Sequence, residues 1–157
     1  MNPMAAEQAV VSLTRRITAS PQEVYRAWLD PALLRRWLAP GGLEVTRAEV
    51  DERIGGRFRI WQGNADGDVG GFECELLELV PDRRIVFGWG LVGPHREAGP
   101  VYNSRLTITL EPAPEGATEL TLVHERLDEL FAAMPSLADK FKPGWENVLD
   151  KLDAILG

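Results

Sequence analysis

The sequence predicts an α+β fold: a seven-stranded curved antiparallel sheet wrapped around one long C-terminal helix, with two short helices between the first and second strands. Three observations carry this. From Ser136 to Leu156, the residues Trp145, Val148, Leu149, Leu152, Ile155 and Leu156 follow the i, i+3, i+4, i+7 rhythm of a single helical face. Most of the chain upstream alternates apolar and polar residues, as strands with one dry and one wet face do. Helix-starting chemistry recurs twice within residues 20–40, and nowhere else upstream as strongly.

Taken in order, Val10 to Ile17 reads as a first strand, rich in β-branched residues. Ser20-Pro21-Gln22-Glu23 then opens a helix: Ser20 suits the cap, Pro21 the first helical position, and Glu23 completes a capping box. Val24, Ala27 and Trp28 share its buried side. Asp30-Pro31 starts a second helix in the same way, burying Leu33, Leu34, Trp37 and Leu38, and Pro40-Gly41-Gly42 stops it.

Six strands follow: Leu43 to Val50, Arg57 to Gln62, Phe72 to Leu79, Arg84 to Trp89, Ser104 to Leu110, and Leu120 to His124. Asp66-Gly67 and Pro81-Asp82 are turn signals between them, and Gly93 to Pro100 is a loop. By parity, Phe58, Ile60, Phe72, Cys74, Ile85, Phe87 and Trp89 share the dry face, whereas Trp61 faces outward with Arg57 and Arg59. In the last helix, Glu146, Asn147, Asp150, Lys151 and Asp153 form the solvated side, and Pro143 either starts a fresh helix or kinks a longer one.

At 157 residues, a single domain spanning 1–157 is expected, with residues 1–8 as a flexible lead-in. The net charge of −7 and the pI near 4.9 argue against nucleic acid, whose phosphates demand a basic face. The lone Cys74 permits no internal disulfide and fits a reducing, cytoplasmic compartment. The chain has no apolar run long enough to span a membrane, and its start does not read as a secretory signal.

The ordered set Ala19-Ser20-Pro21, Asp30-Pro31 through Trp37, Asp51 to Gly56, Asp66-Gly67, Pro81 to Trp89, Ser104 to Leu110, Thr118 to His124 and Gly144-Trp145 resembles the SRPBCC superfamily. These are also called START-like, helix-grip or Bet v-like proteins. Within it, the chain is most similar to the branch related to the C-terminal domain of the activator of the 90-kDa heat-shock protein ATPase. The resemblance implies a hydrophobic cavity between sheet and helix that binds small apolar molecules.

The residues expected to line that cavity are Phe58, Ile60, Gln62, Phe72, Cys74, Phe87, Trp89, Tyr102, Ser104, His124, Trp145, Val148, Leu149 and Leu152. Gln62, Tyr102, Ser104 and His124 are the polar groups that would orient a ligand. The competing reading is that the aromatics fill core volume, which is favoured for Trp28 and Trp37. Two histidines and one cysteine far apart make no metal-binding spacing, so no metal, cofactor or catalytic residue is assigned. The leading expectation is a small-molecule binding protein without catalysis, its partner a small apolar molecule. A protein-interaction module with a chaperone partner is the alternative, and a cyclase- or hydrolase-like enzyme using His124 as base is the weaker one. Oligomeric state is left open.

Overall fold

The computed structural model describes residues 9–157; the expected lead-in, residues 1–8, lies outside the described residues. The chain runs β1 (Val11–Ile17), α1 (Pro21–Leu29), α2 (Pro31–Trp37), β2 (Glu44–Val50), β3 (Arg57–Asn64), β4 (Gly67–Val80), β5 (Arg84–Val92), β6 (Val101–Ala113), β7 (Ala117–Glu125), α3 (Asp128–Ala133) and α4 (Ser136–Leu156). All seven strands form one sheet in the order β1-β7-β6-β5-β4-β3-β2, and each neighbouring pair is antiparallel. Strands β1 and β2 are consecutive yet lie at opposite edges. The segment holding α1 and α2 must therefore cross the sheet, and it covers part of the dry face.

The caps work much as their residues predict. Ser20 Oγ accepts from Glu23 N at 3.2 Å. Glu23 closes the box differently from the expected pattern, accepting from the Ser20 hydroxyl at 3.1 Å. Asp30 serves both helices: its N–H donates to Arg26 O at 2.9 Å, ending α1, while its carboxylate accepts from Ala32 N at 2.9 Å, starting α2.

Register explains why the dry face is continuous. Phe58, Cys74, Trp89 and Ser104 form one row across four strands. Leu76, Phe87, Leu106, His124 and Val11 form another across five. Most strands extend beyond the predicted segments. Strand β4 begins at Gly67 rather than Phe72, and it runs through Gly70 and Gly71 with a register shift against β3 between Gln62 and Gly63. At Gly71, φ is +152° and an added Cβ would collide with the carbonyl of Ile60, so the close strand approach requires glycine there.

Helix α4 is continuous, with Pro143 inside it on the exposed side; a fresh start at the proline does not occur. Its buried side is Trp145, Val148, Leu149 and Leu152, as the periodicity predicts. Its opposite side is less idle than a solvated face. Lys151 Nζ donates to Ala39 O at 2.6 Å and Gly41 O at 2.8 Å, and Asn147 Oδ1 accepts from Gly41 N at 2.8 Å. Asp153 accepts from Thr18 N and Oγ1 at 2.7 and 2.8 Å, and Asp150 pairs with Arg15. These flanks of the helix satisfy backbone groups that the α2–β2 turn and the end of β1 leave open. Helix α3 was not predicted: it has six residues and no side-chain cap, so little local chemistry announces it.

Candidate functional site

Sheet and helix do not touch everywhere. Leu149 and Leu152 meet the sheet and are fully buried, but toward the start of α4 the two surfaces separate. A cavity of about 340 Å³ opens there. Its sheet wall is Gln62, Phe72, Trp89 and Leu91; its helix wall is Leu137, Lys140, Phe141, Gly144, Trp145 and Val148; Leu38 and Pro40, from the end of α2 and the turn after it, close one end. The size is that of an ordinary small-molecule site, and the wall is mostly aliphatic and aromatic.

Of the fourteen residues expected at the cavity, Gln62, Phe72, Trp89, Trp145 and Val148 line it. The others do not, and packing explains why. Phe58, Ile60, Phe87, Leu149 and Leu152 are fully buried in the core beneath it. Phe58 and Phe87 stand edge to face at 5.0 Å between centroids, and Phe87 meets Trp89 the same way at 5.3 Å. Aromatic closure thus fills the middle of the sheet and confines the space to one end. Cys74 is buried in this core, where loss of solvent pushes its thiol pKa up, so it is no nucleophile. Tyr102 is half-buried against the core without lining the cavity. Trp28 and Trp37 fill core, as expected: they are edge to face at 4.7 Å, and Trp37 Nε1 donates to Ala27 O at 3.1 Å.

Ser104 and His124 are used differently from the expectation. Trp145 Nε1–H donates to His124 Nδ1 at 3.1 Å. An indole nitrogen can only donate, so Nδ1 must be the acceptor and the proton of the neutral ring sits on Nε2. Nε2–H then faces Ser104 Oγ at 2.7 Å, and the Ser104 hydroxyl donates to Trp89 O at 2.9 Å. The ring has no exposed surface, and burial lowers its pKa from 6.5 to about 3. Both nitrogens are engaged, which removes the base on which the enzymatic alternative relied.

Gln62 is the buried polar group of the cavity wall. Its Nε2 donates to Leu38 O at 3.0 Å. Because that partner is a carbonyl, the amide orientation is fixed and Oε1 is left facing away from it, as an acceptor. Sequence reasoning missed Leu38, Pro40, Leu91, Leu137, Lys140, Phe141 and Gly144. One signal was present: Gly144 occupies the apolar stripe of α4 between Phe141 and Val148, and a glycine there is a missing side chain on the dry face. An added Cβ at Gly144 meets nothing within 4 Å.

On the sheet's outer side, Trp61 faces outward as predicted and carries three guanidinium groups, from Arg47, Arg59 and Arg96, within 4.7, 4.7 and 4.2 Å of its ring centroid. Arg96 holds the loop after β5 to the sheet by hydrogen bonds to Ile60 O and to Glu73 at 2.6 Å. Burial alone would raise the Glu73 pKa, but Arg59 and Arg96 outweigh it and hold the carboxyl below its ordinary value. Among the described residues, no group of His, Cys, Asp and Glu is placed to hold a metal ion, and no helix is long and apolar enough to cross a membrane.

An antiparallel sheet gripping a long C-terminal helix, with two short helices after the first strand, is the architecture of the SRPBCC or START-like superfamily. Within it, the chain belongs to the family described as "Activator of Hsp90 ATPase homolog 1-like protein", which it matches over residues 18–157. It is similar to a Chromobacterium violaceum protein of known crystal structure, at 32% identity and a TM-score of 0.74, covering 94% of this chain and 96% of that one. An AHSA1 protein of Silicibacter pomeroyi shares the fold at 24% identity and a TM-score of 0.74, covering 94% and 97%. An Arthrobacter aurescens protein solved in solution shares it at 22% identity and a TM-score of 0.80, covering 96% and 87%. No protein of curated function matches the chain.

Proposed function

We propose that this protein binds a small apolar molecule between its sheet and α4, acting through one domain and without chemistry of its own. The observation supporting this is the cavity at the start of α4, whose wall combines Phe72, Trp89, Leu91, Phe141 and Trp145 with the single buried amide of Gln62. Burying about 200 Å² of apolar ligand surface gains about 5 kcal/mol before binding costs, which corresponds to a Kd no tighter than about 0.2 mM from apolar contact alone, so polar contacts or a larger buried area must supply any tighter binding. Native mass spectrometry of protein purified under mild conditions tests the reading. A single adduct of small-molecule mass, removed by organic extraction, is the expected result; an adduct-free spectrum, together with no uptake from a panel of hydrophobic compounds, would sink it.

The family's description names an activator of the Hsp90 ATPase and so favours a second reading, a module that docks on a chaperone through its outer surface. Addition of the protein to the chaperone separates the two. Stimulation of ATP hydrolysis that persists with the cavity blocked supports docking, and no stimulation leaves the ligand reading alone.

A further inference from the structure

We propose that the cavity selects elongated amphiphiles that carry an anionic group at one end and a hydrogen-bond donor at the other. This rests on the small-molecule reading above and names the chemical class of its ligand. The two ends of the cavity differ in chemistry. Lys151 and Asn147 pin the turn at residues 39–41 against the later part of α4, and Leu38 O takes the Gln62 amide. Gln62, itself 6% exposed, therefore lines the cavity toward this end, and its one hydrogen bond among the described residues is from Nε2 to Leu38 O, which leaves Oε1 as an open acceptor. An open acceptor on an apolar cavity wall favours a hydroxyl or other donor, because covering it with a bound apolar group costs its desolvation.

Lys140 lies two helical turns before Val148, about 12 Å along the axis at the standard rise per residue. It lines the cavity and is exposed, which places it at the mouth. All three lysines of the chain, Lys140, Lys142 and Lys151, are in α4. Lys151 is spent on backbone carbonyls, and Lys142 does not line the space. Lys140 makes no salt bridge with a described residue, and the cavity wall contains no Asp or Glu. In a chain of net charge −7, an ammonium on a rim free of carboxylates marks where an anion is tolerated. Phe72, Leu91, Phe141 and Trp145 belong to the apolar wall of the same cavity.

Calorimetric titration of the full chain with four ten-carbon probes below their micelle concentrations tests this: the ω-hydroxy acid, the plain acid, its methyl ester and the fatty alcohol. The hydroxy acid is expected to bind tightest. Lys140→Gln should weaken both acids roughly two- to five-fold and leave the ester unchanged. Gln62→Met should erase the preference for the hydroxy acid over the plain acid, a factor of up to about ten. Its thermal midpoint is read alongside, since Leu38 O loses a donor, and the Lys140 variant, altered at an exposed position, stands independently of it. Equal binding of acid and ester, unchanged by Lys140→Gln, would overturn the ligand class and leave the cavity reading intact. Failure of all four probes to bind would overturn both.

Discussion

Trp145 Nε1–H donates to His124 Nδ1 at 3.1 Å, so the helix and the sheet are joined by a directional bond at the floor of an otherwise apolar contact. The bond continues through Ser104 to the backbone of Trp89, linking α4 to β7, β6 and β5 in turn. Every polar atom in that chain has a partner, which is the condition under which a buried polar network specifies one packing rather than weakening it. Burial holds the ring neutral, and the Trp145 N–H fixes which nitrogen is left to accept.

The first prediction follows from that neutral ring. Its folded pKa, about 3, lies below the ordinary 6.5, so the unfolded chain binds the proton first as pH falls. Above pH 6.5 the histidine contributes no pH dependence; below it, stability drops by on the order of 1 kcal/mol per pH unit, until the folded pKa is reached. Urea unfolding at pH 6.5 and pH 5, before carboxylates titrate, should show the loss. His124→Gln, which can still accept from Trp145 and donate to Ser104, should flatten it. An equal slope in both proteins would mean the proton uptake lies elsewhere.

The second concerns the two sides of α4. Leu149→Asp or Leu152→Asp places an unpaired charge in a fully buried position, at a cost of several kcal/mol against the roughly 5–15 that hold a domain together. Thermal melts should show no cooperative transition. Asp150→Asn, at an exposed ion pair, should change stability by less than about 1 kcal/mol. Lys151→Met should cost more, roughly 1–2 kcal/mol, because it leaves the carbonyls of Ala39 and Gly41 without their donor. If Lys151→Met proves as silent as Asp150→Asn, those two hydrogen bonds do not form in solution.

Period and punctuation made most of the fold legible. Alternation placed seven strands, and Ser20, Pro21, Asp30 and Pro31 located two helices because capping is local chemistry. Helix α3 was illegible because its six residues bury Leu130 through tertiary contact, without a cap or a repeated face. Parity placed Phe58, Phe87 and Trp89 on the correct face but could not tell core from cavity wall, since both are dry and aromatic. That distinction depends on where the helix leaves the sheet, a long-range property. Lys151 misled for a related reason: a lysine on the polar side of a helix looks solvated until the turn it anchors is known.

A third prediction tests the outer cluster. Arg96, with its side chain 10% exposed, fastens the loop of residues 93–100 to Ile60, Glu73 and the face of Trp61. Arg96→Ala should cost roughly 2–3 kcal/mol and speed amide hydrogen exchange across that loop while sparing β7. Arg96→Lys should recover little, because a point charge cannot repeat the planar stacking and forked bonding. Unchanged exchange in the loop would show that other contacts hold it.

In the proposed ligand-binding reading the open space beside Gly144 is where the small molecule sits, and filling that space with a side chain addresses it. Gly144→Leu adds a side chain into space where nothing lies within 4 Å of the new Cβ, and it replaces a poor helix former with a good one, a gain of up to about 1 kcal/mol. Titrating wild type and Gly144→Leu with anilinonaphthalene sulfonate, following both its emission and the quenching of tryptophan, reads occupancy against an unimpaired fold. Saturable one-to-one binding to the wild type is expected, lost by tenfold or more in a variant that melts at the same temperature or higher. Equal binding by both proteins, with the variant's stability unimpaired, would contradict it.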